Sequence, residues 1–485
     1  MLDIVIAVMP FCKPDLAGGP PQLKSYVEQY GFNCKVVDWN IDLYIKMGKD
    51  YFDSKESILN IFQSRESMLN PVNELKTLWD ESIDKISDDW INEIEKLNPR
   101  FLGLSCFTFL RTRDLVILFL EKIRKKLPNL KIIIGGHAVS CEVGMALEIH
   151  NFKFISLGEE LLYKKLIDFY INGEGEIPLL KLLNGDYICD GLNNNKVSRI
   201  TDLDTLPYAD FSDLDFSKYP DVKLPVFFSR GCVNNCKFCF KIIKKYFTKN
   251  PKDFAEELIY YSKLYNNIEQ FVFTDYLVSG NRKKYIELID ELYNLKINKK
   301  YDPVIWMAMH FIWPKSYINE DTFYKMKQCG CYVYIVGLES GSEKVRLDMG
   351  KHIKDSSLDF TVEQCFKNEI LIILLLIIGY ITETEEDFQK TLDLLDRYEP
   401  YKTFLSITLG STYYISKKSK KIHEDEGLEI TFDDDGHWIY KDNTIEVRLD
   451  RWFRMRDKCI SLGYTIDDFN NNSYMENLNN NINNK

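Results

Sequence analysis

The sequence of 485 residues lacks the features that mark membrane, secreted and nucleic-acid-binding proteins. Its longest apolar run, Ile370 to Ile378, has nine residues, whereas a membrane-spanning helix needs about 20. The amino terminus has no basic stretch ahead of an apolar core, which argues against a secretory signal peptide. A net charge of −11 provides no general basic surface. We therefore expect a cytoplasmic protein with no membrane partner, and nucleic acid is not an expected partner.

The cysteine density of a small disulfide-dependent scaffold is also missing. The 12 cysteines are spread over a chain far longer than such scaffolds. Apolar residues make up 45% of the sequence and aromatic residues 14%, which is enough for sizeable cores. A chain of this length is expected to form about three domains.

Apolar strands alternate with helical segments through residues 1–185. Strands are predicted at 4–9, 34–38, 101–105 and 131–134 and helices at 21–30 and 113–126, and further apolar segments lie at 152–156 and 168–171. This alternation is typical of an α/β domain with a doubly wound (Rossmann-like) parallel sheet. Residues 186–222 are rich in turn-forming residues, which predicts a linker.

Residues 223–410 contain six strands, the first five of which are followed by helices. The strands are predicted at 225–229, 270–274, 304–309, 333–337, 371–378 and 403–408, and the helices at 252–266, 281–295, 320–329, 355–367 and 384–397. Six units cannot close an ordinary eight-stranded barrel. Residues 411–485 are predicted to be a small C-terminal extension with a disordered, asparagine-rich tail.

Three cysteines lie on one short loop: Cys232, Cys236 and Cys239, with CxxxCxxC spacing. They follow the predicted strand 225–229, and the carboxyl ends of strands are where α/β barrels carry their chemistry. Three thiolates on one loop can bind three irons of a 4Fe–4S cluster and leave the fourth iron open. A zinc site would need a fourth ligand roughly 70 residues later. A zinc-binding scaffold is therefore the non-enzymatic alternative.

The cysteine segment resembles the radical S-adenosylmethionine (SAM) superfamily, in which an aromatic residue precedes the third cysteine. Phe238 occupies that position. The resemblance implies that the open iron binds SAM, that Phe238 lies near the adenine, and that reductive cleavage of SAM starts hydrogen abstraction from a substrate carbon. It also implies a partial (β/α)6 TIM-type barrel at 223–410 and a reducing electron donor such as flavodoxin or ferredoxin.

The same resemblance suggests SAM contacts at the ends of later strands. Asp275 ends the second predicted strand, where the family often has an acidic SAM ligand. Glu339 and Ser340 lie in a Gly-Leu-Glu-Ser-Gly segment after the fourth strand, as in relatives. The segment from Gly379 lacks the Pro-Gly pair usual after the fifth strand, so no contact is predicted there. The alternatives are structural: Asp275 caps the next helix, and Glu339 forms an ion pair with Lys344 or Arg346.

Residues 1–185 resemble the cobalamin-binding domain that precedes many radical SAM domains. The matching segments are 32–38, 103–105, 135–137 and 173–176. The resemblance implies cobalamin contacts from Ser105, Gly135, Gly136, His137 and Glu174. The Asp-x-His-x-x-Gly motif that supplies an axial histidine in the wider cobalamin family is absent.

These observations predict a radical SAM enzyme that uses a 4Fe–4S cluster, SAM and cobalamin to methylate a small-molecule or peptide substrate. Without cobalamin, the alternative is epimerisation or cyclisation of a peptide or metabolite. RNA methylthiolation is a further alternative, with Cys12, Cys34, Cys106 and Cys141 as scattered candidates for a second cluster. Cys459 in the extension is a candidate hydrogen-atom donor, and a buried structural cysteine is its alternative.

Overall fold

The structure is a computed structural model that describes residues 2–10, 14–51, 79–107, 113–139, 156–239, 245–411, 415, 417–434 and 437–467. The described residues form two compact units, one ending at Pro225 and the other beginning at Val226. The apolar segment at 152–156, apart from its last residue, and the tail from residue 470 lie outside them. Within the described ranges, no helix has the length and apolar character that crossing a bilayer requires.

The first unit is built on a five-stranded parallel sheet. Its strands are β1 (Ile4–Val8), β2 (Cys34–Asp38), β3 (Phe101–Ser105), β4 (Lys131–Gly135) and β5 (Phe169–Tyr170). Its described α-helices are α1 (Gly19–Glu28), α2 (Trp39–Met47), α3 (Glu81–Leu97), α4 (Arg113–Lys126), α5 (Leu157–Tyr163) and α6 (Glu176–Leu183). The strand order β2-β1-β3-β4-β5 is flavodoxin-like. All of β1 is buried, as expected for a parallel strand covered on both faces, and the predicted doubly wound sheet is confirmed.

The predicted linker packs on the first unit instead of running free of it. The buried ammonium group of Lys24 lies 2.9 Å from Asp210 and 2.8 Å from Asp213. The hydroxyl of Tyr219 donates to Asp38 at 2.8 Å. These side chains tie the turn-rich segment to α1 and β2.

The second unit is built on a seven-stranded parallel sheet. The described strands and α-helices from residue 223 onward, in chain order, are β6 (Lys223–Val226), β7 (Ser229–Arg230), β8 (Phe247–Thr248), α7 (Pro251–Leu264), β9 (Gln270–Phe273), α8 (Arg282–Ile297), β10 (Ile305–His310), α9 (Glu320–Gln328), β11 (Cys331–Glu339), α10 (Glu343–Asp348), α11 (Asp355–Lys367), β12 (Leu371–Ile378), α12 (Glu385–Tyr398), β13 (Leu405–Ser411), α13 (Lys417–Asp425), β14 (Thr431–Phe432), β15 (Trp438–Ile439), α14 (Ile445–Leu462) and β16 (Thr465–Asp467).

The order β16-β13-β12-β11-β10-β9-β6 contains all six predicted barrel strands. The seventh strand, β16, comes from the C-terminal extension and pairs in parallel with β13. This strand was not predicted from the sequence, because it has only three residues, too few to show an alternation of apolar and polar side chains. The apolar run at 370–378 forms the mostly buried strand β12, as predicted.

Candidate functional site

The cysteine loop follows β6 at the carboxyl edge of the second sheet. Gly231 enters the loop with φ of +87°, a conformation that favours glycine. Cys236 is buried, Cys232 and Cys239 are half-buried, and none of the three is in a disulfide with a described residue. The N–H of Cys239 donates to the carbonyl of Cys236 at 3.2 Å. Three thiols on one turn are a donor set that fits three corners of a 4Fe–4S cluster.

A site for one metal ion is a different arrangement. Among the described residues, no three His, Cys, Asp or Glu side chains are grouped to hold a single ion. The cysteines of a 4Fe–4S cluster each bind a separate iron, so they do not converge on one point.

Asp275 shapes the segment that leads into the loop. One carboxylate oxygen accepts from the N–H of Phe228 at 3.1 Å, and the other accepts from the N–H and hydroxyl of Ser229, both at 2.5 Å. Burial raises the pKa of Asp275 to about 6, although these hydrogen bonds oppose the shift. Asn281, not Asp275, caps α8. The contacts of Asp275 are therefore those of a residue that positions the loop; the predicted helix cap is wrong, and the predicted SAM contact stays a prediction.

A buried ion pair lies at the end of β11. The ammonium of Lys351 is 2.5 Å from the Glu339 carboxylate and 2.5 Å from the carbonyl oxygen of Gly337. Glu339 is 7% exposed. The alternative partners predicted for Glu339, Lys344 and Arg346, pair with other carboxylates.

This ion pair is electrostatically linked to the cysteine loop. Burial raises the pKa of the Cys236 thiol to about 11, and the charge of Lys351 opposes that shift. Burial lowers the pKa of Lys351, but the negative charge of the adjacent Glu339 carboxylate outweighs it, so the pKa is raised and the ammonium remains charged. Its nitrogen is 5.8 Å from the ring centroid of Phe238. Nothing in the local sequence of Lys351 distinguishes it from a surface lysine, so the sequence does not predict this contact.

The Gly-Leu-Glu-Ser-Gly segment has the backbone that this pair needs. Glu339 has φ of +72°, a left-handed conformation that costs a non-glycine residue about 1 kcal/mol or more. A side chain at Gly337 would collide with the Glu339 carboxylate and the Lys351 ammonium. A side chain at Gly341 would collide with the backbone of α12. The two glycines therefore allow the close approach, and the strain at Glu339 lies at the candidate site.

Ser340 is directed into the protein. It is fully buried, its hydroxyl oxygen accepts from the N–H of Ser342 at 3.1 Å, and it lies 3.4 Å from the Thr391 hydroxyl of α12. These contacts hold the segment against α12, and the predicted contact of Ser340 with SAM stays a prediction.

Phe238 lies half-buried beside the ion pair. It packs against a cluster formed by Val345, Met349 and Tyr380. The N–H of its neighbour Lys237 donates to the Met349 carbonyl at 3.0 Å. The aromatic position of the motif is thus fixed next to the segment that carries Lys351.

The turn after β12 is closed by a buried carboxylate. Gly379, with φ of +81°, donates its N–H to Glu383 at 2.9 Å. The carboxylate lies 3.6 Å from the Arg451 guanidinium of α14. Burial raises the pKa of Glu383 to about 7, with Gly379 and Arg451 opposing. This interaction supports the turn that lacks a Pro-Gly pair.

We expect Glu383→Gln to flatten the pH dependence of stability. The folded pKa lies above the ordinary value of 4.5, so the folded state binds the proton more tightly and stability falls as pH rises from about 4.5 through 7. Glu383→Gln should reduce the loss of unfolding free energy between pH 5 and pH 8 by about 1–3 kcal/mol. Urea unfolding at the two pH values measures this free energy.

Glu386→Gln is the matched control, because the Glu386 side chain is 84% exposed in the first turn of α12, which follows Glu383 directly. An identical pH slope in wild type and Glu383→Gln would show that Glu383 does not titrate in this range.

Four of the predicted cobalamin contacts lie together in the first unit. Ser105 and Gly135 are paired at the carboxyl ends of β3 and β4, and the exposed residues Gly136 and His137 follow. The exposed ring of Phe107 lies 6.3 Å from that of His137. Among the described residues, a side chain at Gly135 would meet no atom closer than 4.0 Å. This open edge, beside the β1/β3 switch point, fits a large flat ligand.

The remaining predicted contact, Glu174, has a partner within the protein, and its contact with cobalamin stays a prediction. It is buried, and its carboxylate accepts a short hydrogen bond from the N–H of Ile200. Its observed role is to attach the linker segment.

Apart from Cys189, which is half-buried, the other described cysteines are buried. Cys459 lies fully buried on α14, and burial raises its pKa to about 12, so it has the burial of a structural cysteine, and its role as a hydrogen-atom donor stays a prediction. Of the four candidates for a second cluster, Cys34 and Cys106 are buried, whereas Cys12 and Cys141 lie outside the described residues.

Comparison with known proteins agrees with the site. Residues 226–395 match the sequence model of the radical SAM superfamily. An uncharacterised methyltransferase of Pyrococcus horikoshii is 25% identical over 337 residues, which cover 67% of this chain and 70% of that protein. A tRNA-2-methylthio-N(6)-dimethylallyladenosine synthase of Clostridium perfringens is 26% identical over 308 residues, which cover 59% and 61%.

Two solved structures share the fold. TsrM of Kitasatospora setae, a radical SAM methyltransferase solved with tryptophan and a SAM analogue, has a TM-score of 0.64 at 14% identity, covering 95% of this chain and 89% of its own. OxsB, a cobalamin-dependent SAM radical enzyme solved with aqua-cobalamin, has a TM-score of 0.58 at 14% identity, covering 88% and 56%. At these identities the likeness concerns the fold.

Proposed function

We propose that this chain, which is a radical SAM enzyme, binds a 4Fe–4S cluster through Cys232, Cys236 and Cys239 and cleaves SAM reductively at the open iron. The observation that carries the proposal is the buried Lys351–Glu339 pair beside the cysteine loop, within the segment that matches the family. When bound, the cluster supplies the electron that breaks a carbon–sulfur bond of SAM.

The side chains beside the loop suit the polar end of SAM. The Glu339 carboxylate can accept from the SAM amino group, and the Lys351 ammonium can donate to the SAM carboxylate. Glu339 is buried and the Lys351 side chain is only 11% exposed, and in such surroundings charge-assisted hydrogen bonds are stronger than in water. Phe238, fixed 5.8 Å from the ammonium, offers a ring to the adenine.

The first unit is proposed to bind cobalamin, and the reaction to transfer a methyl group to a carbon of a small-molecule or peptide substrate. Bound cobalamin would carry the methyl group. Support comes from the open edge at Ser105, Gly135, Gly136 and His137, from the fold shared with TsrM and OxsB, and from the methyltransferase relative. A reducing donor such as flavodoxin or ferredoxin would supply the electron, which suits the cytoplasm.

Methylthiolation of RNA is the second candidate, because a tRNA methylthiolating synthase is among the relatives. It would need a second cluster. Iron content separates the two candidates: about four irons per chain fit one cluster, and about eight fit two.

The experiment is anaerobic reconstitution followed by metal, corrin and SAM-cleavage analysis. We expect about four irons per chain, one corrin per chain after incubation with hydroxocobalamin, and conversion of SAM to 5′-deoxyadenosine with dithionite. Zinc in place of iron would contradict the cluster assignment. If the chain loads iron but binds no corrin, the proposal of SAM cleavage stands and the proposal of cobalamin-dependent methyl transfer is contradicted.

A further inference from the structure

Helix α13 of the C-terminal extension lies against the cysteine loop. The ammonium group of Lys418 donates to the carbonyl of Cys239 at 3.2 Å. On the other side of the loop, Lys237 donates to Glu426, directly after the helix, at 2.7 Å and to Asp348 at 2.8 Å. The loop that carries the three thiols is therefore attached at two points to a segment that follows the barrel in sequence.

A buried tyrosine–histidine contact fixes the same helix. The Tyr380 hydroxyl lies 3.0 Å from Nε2 of His423, and Nδ1 of His423 lies 2.7 Å from the Ser419 carbonyl. Because a carbonyl only accepts, Nδ1 carries the proton and Tyr380 donates to Nε2. Tyr380 also packs in the cluster beside Phe238. Lys418 is thus carried by a helix whose position relative to the loop is fixed.

Neighbouring lysines of α13 interact differently. Lys420 and Lys421 lie 3.6 Å and 3.7 Å from Glu424 and Asp425, carboxylates on their own helix. The Lys421 side chain is 77% exposed. Lys418 is half-buried and contacts the backbone of a thiol-bearing residue instead.

We propose that Lys418 is a positioning residue for the 4Fe–4S cluster. Its ammonium group holds the Cys239 end of the loop and raises the reduction potential of the cluster. This inference rests on the proposed function. Reduction adds a negative charge to a cluster already bound by thiolates, and the potential of such clusters depends on nearby charge, hydrogen bonding and solvent exposure. A half-buried ammonium at the backbone of one ligand stabilises the reduced state and is screened less than a surface charge.

The test compares Lys418→Met with Lys421→Met in the full-length reconstituted enzyme. Iron per chain and the midpoint potential, measured by a redox titration followed by electron paramagnetic resonance, are the readouts. We expect Lys418→Met to shift the midpoint to a more negative value and Lys421→Met to leave it at the wild-type value. Lys418→Arg keeps the charge, so its midpoint potential should lie close to the wild-type value.

Each outcome bears on the proposal. A wild-type midpoint in Lys418→Met that holds its iron would overturn it, while SAM cleavage by the wild type would keep the proposed function intact. If Lys418→Met fails to load iron, recovery of loading in Lys418→Arg supports the positioning role and loss in both variants overturns it. A wild-type chain that loads no cluster overturns the proposed function and this inference together.

Discussion

Cys236→Ala is expected to lower SAM cleavage by about 100-fold or more and to reduce the iron content of the reconstituted protein. Cys236 is the buried member of the three cysteines, and its thiol lies in the field of Lys351, which opposes the effect of burial on its pKa. Two remaining thiols cannot hold three corners of the cluster. Anaerobic iron analysis and 5′-deoxyadenosine formation with dithionite measure the two effects.

The matched control is Cys189→Ala, a free, half-buried cysteine of the first unit. It should retain wild-type iron and SAM cleavage, which separates loss of a ligand from general loss of a thiol. Turnover at the wild-type rate in Cys236→Ala would refute the cluster assignment. Loss in both variants would point to oxidative damage during reconstitution instead.

The fold could be predicted because the local pattern and the global architecture agree. Each apolar run at 270–274, 304–309, 333–337 and 371–378 is followed by a helical pattern, and each forms a strand of the parallel sheet. The spacing of Cys232, Cys236 and Cys239 is a local feature of one loop, so the sequence alone was enough to nominate it.

The surroundings of the loop depend on how distant segments meet. Lys351 contacts a carboxylate 12 residues earlier, and Lys418 contacts a carbonyl 179 residues earlier. Neither separation along the sequence corresponds to a helical or strand repeat, so no periodic pattern of residues predicts these contacts. The alternative partners predicted for Glu339 were wrong because Lys344 and Arg346, although nearer in sequence, lie on α10 and pair with other carboxylates.

The direction of a polar side chain at a strand end was the least predictable property. Asp275, Ser340 and Glu174 all lie where loops carry ligand contacts, yet each bonds to the protein's own backbone or hydroxyl groups. A buried N–H needs an acceptor as much as a ligand does. Residue type and position identify the neighbourhood of a site, whereas the hydrogen-bond demand of the folded backbone decides which side chains remain for the ligand.

Lys351→Met is expected to destabilise the second unit by about 3–5 kcal/mol, because it leaves the buried Glu339 carboxylate without a counter-charge. The left-handed backbone at Glu339 adds to this cost, since the ion pair is one of the contacts that hold it. Urea unfolding of the apo-protein under anaerobic, reducing conditions measures the loss. SAM binding to the reconstituted protein should weaken in parallel.

A double-mutant cycle with Glu339→Gln identifies the cause. If the pair acts as one unit, Lys351→Met combined with Glu339→Gln should be more stable than Lys351→Met alone, because the uncompensated charge is gone. Lys354→Met, at an exposed position three residues later, is the control and should stay near wild type. Additive losses in the double variant would mean that Lys351 and Glu339 act independently. In that case the charged pair proposed to hold the polar end of SAM would not exist as a unit.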